Sequence, residues 1–196
     1  MSQLMPGDLF AGTLVRLTAP RPDDKDALAR WSQDAEYLRH LGDDAARPRP
    51  ADYFVEDKEE KSHDWRKFEF RIRTLTEDKL IGFVELWVQW NQQTAWLGIG
   101  IGEAEYRGKG FGSDAVRVAV SYAFRELSLY RISLSVFSYN PRAIRAYEKV
   151  GFVREGTLRS ALYRDGQRFD MLVMGILRPE WEQQQEAVQQ ALAHEV

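Results

Sequence analysis

The chain contains no cysteine, which excludes a disulfide framework, a zinc–thiolate centre and a cysteine nucleophile. Histidine is scarce too. His40, His63 and His194 lie far apart, none in an HExxH or HxH spacing, and all three read as solvent-exposed. No metal site is expected from them. No stretch approaches about 18 consecutive apolar residues, so no membrane-spanning segment is expected. The N-terminal MSQLMPGDLF lacks a basic region followed by an apolar run, so no signal peptide is read. Positive charge is not in excess: the net charge of −3 gives no argument for nucleic acid as a partner. What remains is ordinary. The 196 residues, 44% hydrophobic and 29% charged, suffice for one domain with a single core. The expectation is a cytoplasmic, single-domain protein over 1–196, with its core at about 13–178 and a glutamine-rich tail at 179–196.

Residues 13–18 alternate as a short strand should. Ala19-Pro20-Arg21-Pro22 breaks the chain. Asp23, Asp24 and Asp26 then crowd the first turn of a helix, where negative charge suits the dipole. Leu28, Trp31, Leu38 and Leu41 carry its apolar stripe onward. Residues 42–50 read as a loop and 51–64 as a polar helix. Phe68–Arg73 alternates as a strand, and residues 79–90 are rich in β-branched and aromatic side chains. A turn at Asn91-Gln92-Gln93 leads into a returning strand over 94–101. The aromatic-rich strand 79–90 offers one route to a homodimer, by pairing with a second copy. On the returning strand Leu97, Ile99 and Ile101 share one face. Gly98 and Gly100 share the other, with Gly102 in line. Such a glycine face suggests that something bulky lies against it, or else a bulge or a packed helix.

Residues 113–127 repeat apolar side chains at three- and four-residue spacing, as an amphipathic helix does. Residues 130–138 alternate as a strand. Asn140-Pro141 opens a further helix, with asparagine as N-cap and proline at the first helical position, and Gly151 closes it. Two strand segments follow, FVREGTLR and FDMLVMGIL, joined through a turn at Asp165-Gly166. The tail is either a helix packed on the body or a frayed end. This order predicts a mixed sheet with helices on its faces, in the α/β or α+β range.

The central motif is Arg107-Gly108-Lys109-Gly110-Phe111-Gly112, set between the strand ending at Ile101 and the helix starting near Ser113. A strand that enters a glycine-rich turn and then a helix leaves several backbone N–H groups converging at a positive dipole end, which suits a phosphate. Arg107 and Lys109 add full charges. A dinucleotide fingerprint fits poorly, because the spacing is GxGxG. A Walker A loop fits poorly too: Gly102 to Gly108 is one residue too long, and Gly110 follows the lysine. The second motif is Asn140-Pro-Arg-Ala-Ile-Arg-Ala-Tyr147-Glu-Lys149-Val-Gly151-Phe152. Asn140 and Tyr147 are two helical turns apart and share a face.

Together the two motifs resemble the GCN5-related N-acetyltransferase (GNAT) superfamily, over roughly residues 13–178. GEAEYRGKGFGSDAV, NPRAIRAYEKVGFVREGTLR and LVMGILRPEW are similar to the Rim-type ribosomal-protein N-terminal acetyltransferases and the bacterial spermidine acetyltransferases. The resemblance implies a mostly antiparallel sheet of about seven strands and acetyl-CoA as donor. It implies that the amides of Arg107, Gly108, Lys109, Gly110, Phe111 and Gly112 hold the pyrophosphate. It implies that the backbone of Gly100, Ile101 and Gly102 pairs with the pantetheine arm and that Asn140 contacts the arm. By the same resemblance Lys149 lies near a phosphate, and the Tyr147 hydroxyl faces the thioester sulfur.

Acetyl transfer to an amine has three needs: a neutral amine, a stabilised oxyanion and a proton for the leaving thiolate. A backbone N–H near Ile101 is the best oxyanion donor in the sequence, and Tyr147 the best acid. Three carboxylates are candidates for the base: Glu85, Glu103 and, ranked lower, Glu105. Residues 21–64 hold 13 acids and 8 bases, a balance of −5, which hints at a cationic acceptor or simply at two charged helix faces. The expected acceptor is a primary amine, with a peptide α-amine ahead of a polyamine or other small amine. An acyl-CoA-binding module without catalysis is the reading from another class, and the intact Tyr147 speaks against it.

Overall fold

The computed structural model describes residues 8–54 and 65–193. The alternating segments form seven strands: β1 (Val15–Thr18), β2 (Lys67–Thr74), β3 (Leu80–Gln89), β4 (Thr94–Ile101), β5 (Arg131–Phe137), β6 (Val153–Arg164) and β7 (Gln167–Leu177). They make one sheet in the order β1-β2-β3-β4-β5-β7-β6. All neighbours are antiparallel except β4 and β5, which run parallel. That parallel ladder is short. It joins Thr94 to Arg131, Ala95 to Ile132 and Trp96 to Ser133, and the two strands then part.

Helices cover both faces, as expected for this fold class. On one side α3 (Phe111–Arg125), α4 (Pro141–Val150) and α5 (Arg178–Ala193) bury the main core. Val116, Val120 and Ala123 of α3 meet Val84, Leu97 and Ile132 of the sheet in it. On the other side α1 (Asp24–Trp31) and α2 (Ala35–Leu41) form a thin roof with its own small cluster of Trp31, Tyr37 and Leu80. The roof is anchored electrostatically. Buried Asp24 accepts from Arg73 and lies 3.6 Å from Arg71, so two strand guanidiniums meet the first turn of α1. Removing one partner of such a buried set would strand an uncompensated charge. On the core side, buried Asp114 in the first turn of α3 accepts from the backbone N–H of Leu14 (2.8 Å) and Val15 (3.1 Å), which fastens β1 to that helix.

Three expectations need correction. The single helix read over residues 23–41 is two helices, because Asp34 adopts an extended ψ of 100° and caps α2 by accepting from Tyr37 N–H at 3.0 Å. The polar helix read over 51–64 begins as a short 3-10 turn at Ala51–Phe54, and residues 55–64 lie outside the described ones. Dimer pairing through the aromatic-rich strand is overturned: β3 sits between β2 and β4, so both its hydrogen-bonding edges are taken. The sheet edges are β1 and β6. The tail is helical, as α5, and Trp181 packs on Phe124. Among the described residues, no helix is long and apolar enough to cross a membrane.

Candidate active site

Where β4 and β5 part, the sheet opens into a cavity of about 470 Å³. Leu97 to Ile101 form one wall and Ser135 to Phe137 the other. Gly108, Gly110, Gly112 and Ser113 close the end beside α3. Tyr37, His40, Leu41 and Asp43 close the end beneath the roof. The cavity passes through the sheet, from the helix N-terminus on the core side to the roof on the other. Four cations line it, Arg107, Arg142, Arg145 and Lys149, against one carboxylate among the described residues, Asp43. That balance favours an anionic ligand.

The glycine loop has the backbone its sequence suggests. Gly108 and Gly110 take positive φ, 75° and 93°, and Gly110 is the N-cap of α3. An L side chain at Gly110 is strained in that region. The loop thus presents bare backbone at the positive end of a 15-residue helix, the geometry that receives a phosphate. A pyrophosphate fits this cradle: a Cβ on Gly108 or Gly110 would meet nothing closer than 3.5 Å, so the space beside the loop is open. On α4 the Asn140 side chain accepts from Ala143 N–H at 3.1 Å, confirming the N-cap, and the residue lines the cavity. Tyr147, two turns on, also lines it and is 9% exposed. Burial pushes its phenol up to about 12, so it keeps its proton at neutral pH.

The expected residues divide. Gly100, Ile101, Arg107, Gly108, Gly110, Gly112, Asn140, Tyr147 and Lys149 all line the cavity; Gly102, Lys109, Phe111, Glu85 and Glu103 do not. Phe111 turns its ring onto Tyr106 at 4.9 Å and joins the core. Gly102 is committed inside the protein. Its N–H donates to Ile81 O at 2.9 Å, and its carbonyl accepts from Arg107 at 2.6 Å. Part of the glycine face is covered by packed helices, at Gly100 and Gly102, while Gly98 and Gly100 also line the cavity. A Cβ on Gly102 would sit 1.9 Å from the Trp31 ring, and one on Gly100 would sit 2.6 Å from the Tyr37 hydroxyl. Glycine is needed there to let the roof approach.

Arg107 differs most from its expectation. Its guanidinium donates to the carbonyls of Ile101 (2.9 Å) and Gly102 (2.6 Å), pairs with Asp34 at 2.8 Å and lies over the Tyr37 ring. The charge read as a phosphate contact is spent on the roof. Glu103 accepts from Trp31 Nε1 at 3.0 Å and from Arg30. Burial acts to raise its carboxyl, but these two donors outweigh it and hold the group below its usual range. Glu103 therefore anchors α1. Glu105 pairs with Lys79. Glu85 comes nearest to the cavity of the three: its Oε1 lies 3.1 Å from the Cβ position of cavity-lining Gly98. It also pairs with Lys67 at 3.1 Å.

Sequence reasoning missed several groups. Arg142 and Arg145 stand with Lys149 at i, i+3 and i+7 on α4, a spacing that would have put all three on one stripe. His40, read as solvent-exposed, is half-buried and lines the cavity beside Asp43. His63 and His194 lie outside the described residues. No local signal marked His40 or Asp43, since the roof reaches the cavity only through packing.

Residues 15–153 match the model of the Acetyltransferase (GNAT) domain. The chain is 40% identical over 119 residues to the probable N-acetyltransferase YjcK of Bacillus subtilis (strain 168); the match covers 60% of this chain and 65% of that protein, just under two thirds. It is 31% identical over 175 residues to the SPbeta prophage-derived uncharacterized N-acetyltransferase YokL of the same organism, covering 88% of this chain and 95% of that one. Among solved structures, the spermidine N-acetyltransferase from Vibrio cholerae in complex with CoA and spermine is similar at a TM-score of 0.76 and 27% identity, over 85% of this chain and 97% of that one. A sheet that parts beside a glycine-looped helix, read together with a domain model spanning well over half of the sequence, makes this chain a member of the GNAT acetyltransferase family.

Proposed function

We propose that the chain acetylates a primary amine, with a peptide α-amine as the acceptor. The observation that carries the reading is the cavity at the β4–β5 opening, with Arg142, Arg145 and Lys149 and an open glycine cradle on one side of the sheet and, among the described residues, a single lining carboxylate under the roof. The donor supplies an activated acyl group as its thioester. The backbone of Gly108, Gly110 and Gly112 binds the pyrophosphate. Arg142, Arg145 and Lys149 neutralise the remaining phosphate charge. The cavity wall at Gly100 and Ile101 orients the pantetheine arm, beside Asn140. Tyr147 gives its proton to the departing sulfur, a role its raised pKa suits only as an acid. Asp43 and His40 receive the incoming ammonium. Glu85, behind Gly98, is the base ahead of Glu103, whose carboxylate is committed to Trp31 and Arg30.

Charge accounting favours a singly charged acceptor. Glu85 and Glu69, the carboxylates on the strands next to Gly98, are already paired with Lys67, and Glu69 with Arg71 as well. Among the described residues only Asp43 is left on the lining, which matches one ammonium better than several. Protonation points the same way. An α-amine titrates near 8 and an alkyl amine near 10.4, so deprotonating the latter at neutral pH costs about 3 kcal/mol more. The second reading is a polyamine acceptor. It is favoured by the likeness to the Vibrio cholerae enzyme, solved with spermine, and by the −5 balance of residues 21–64.

Thiol release from acetyl-CoA, followed with short peptides bearing a free N-terminus and with spermidine at rising ionic strength, separates the two. A peptide acceptor with a nearly salt-independent KM supports the proposal. Turnover of spermidine alone, with KM climbing steeply as exposed charge pairs are screened over about 8–10 Å, would replace it with the second reading.

A further inference from the structure

Arg107 belongs in sequence to the glycine loop and in space to the roof. Its position in the loop is one residue before Gly108, the first of two residues with positive φ. Its side chain, 12% exposed, crosses to the opposite side of the cavity end. There it makes four contacts with two different elements. Ile101 O and Gly102 O belong to the end of β4. Asp34 and Tyr37 belong to α2, as N-cap and as a cavity-lining ring. The β4 end is pinned from its other edge as well, since the N–H groups of Gly102 and Glu103 both converge on Ile81 O, at 2.9 and 3.2 Å. Two successive peptide planes are thus held between Ile81 and one guanidinium. Asp34 also has two tasks. It caps α2 through Tyr37 N–H and pairs with Arg107, and against the opposing effect of burial these contacts keep its carboxyl below its ordinary range.

We infer that Arg107 is a positioning residue that couples occupation of the glycine loop to the order of the acceptor roof. The inference rests on the proposed placement of the pyrophosphate. The loop is exposed at Gly108, Lys109 and Gly110, and binding fixes its backbone. Fixing the loop fixes the Arg107 Cα, and with it the guanidinium that holds α2 by its cap. The conformational entropy of the clamp is then lost once, on donor binding, instead of again when the acceptor arrives. By linkage the effect is reciprocal: an ordered roof favours the donor by the same factor. A rigid planar fork suits the task, because it reaches two carbonyls and a carboxylate at once, which a lysine ammonium cannot.

Two variants test the coupling without touching the phosphates. Asp34→Asn retains the N-cap, since asparagine caps as well as aspartate, and removes the charge facing Arg107. Arg107→Lys retains the charge and removes the fork. CoA affinity is read by calorimetry, and hydrogen exchange of the α2 amides, residues 35–41, is read with and without saturating CoA. The expected result is that CoA slows α2 exchange about fivefold or more in the wild type. Both variants should lose that protection while binding CoA within about threefold of the wild type. Unchanged protection in both variants, or none in the wild type with CoA bound, would overturn the coupling. So would a tenfold loss of CoA affinity confined to Arg107→Lys, which would return the guanidinium to the phosphates. A wild type that binds no CoA is a separate result, seen in the calorimetry alone, and it sinks the donor placement on which the coupling stands.

Discussion

The two ends of the cavity are built on different terms. On the proposed donor side, the surface is backbone: positive-φ glycines, a helix N-terminus and a capped helix, each specified by a few adjacent residues. On the proposed acceptor side, side chains from distant segments form it. Trp31 reaches Glu103 and Gly102, Tyr37 reaches Gly100, and Asp34 reaches Arg107. The end beside the glycine loop rests on a core with fully buried Phe124, Ile132 and Ile176, whereas among the described residues the roof cluster has only Trp31, Tyr37 and Leu80 as buried apolar side chains. Less burial means a lower local opening free energy. For the proposed activity, one constant donor and a particular acceptor, a rigid first site and a more compliant second one are an advantage.

The sharpest break of that contrast comes at the donor end. Gly110→Asp forces a side chain into φ 93° and sets a negative charge where the pyrophosphate is proposed to bind. CoA affinity should fall by about a hundredfold or more, two unfavourable effects of a few kcal/mol together. Calorimetry showing unchanged affinity would remove the glycine loop from the site.

A smaller effect is expected between the two ends. Tyr147→Phe removes one hydroxyl from a buried ring and should lower kcat by about 10²-fold with CoA affinity retained. Because burial holds the phenol up to about 12, wild-type kcat should show no alkaline decline from this group up to about pH 10. The sign follows from the role: an acid is lost only as pH rises through its pKa. Wild-type turnover in the variant would leave Tyr147 a packing residue, with water protonating the thiolate.

The mildest perturbation falls on the roof. Gly102→Ala places a methyl 1.9 Å from the Trp31 ring, so the indole must move and its bond to Glu103 must lengthen. Overpacking of this kind costs about 1–3 kcal/mol. Urea unfolding should report that loss and acceptor KM should rise, while CoA affinity stays within about twofold, since Gly102 does not line the cavity. A fall in CoA affinity as large as the rise in acceptor KM would erase the distinction between the two ends.

What local sequence determined is what local physics dictates. The α4 boundaries follow from an asparagine cap, a proline and a glycine within a dozen residues, and the structure has all three in those roles. The succession of strands along the chain from β2 to β7 and the shared face of Asn140 and Tyr147 follow from spacing in the same way. The split of α1 from α2 was less legible, because the apolar stripe runs on through Ser32–Asp34 and only the extended ψ of Asp34 breaks it. The glycine face on β4 was readable as a demand for room, but not for what. Trp31 lies 71 positions before Gly102, and nothing in either neighbourhood names the other. Arg107 carries the same lesson. Its place in a phosphate-type loop predicts an anion, yet the guanidinium is long enough to choose among partners, and folding brings two carbonyls and Asp34 within its reach. Backbone conformation is settled by neighbours in the chain. The partner of a long charged side chain is settled by neighbours in space, which only the tertiary structure supplies.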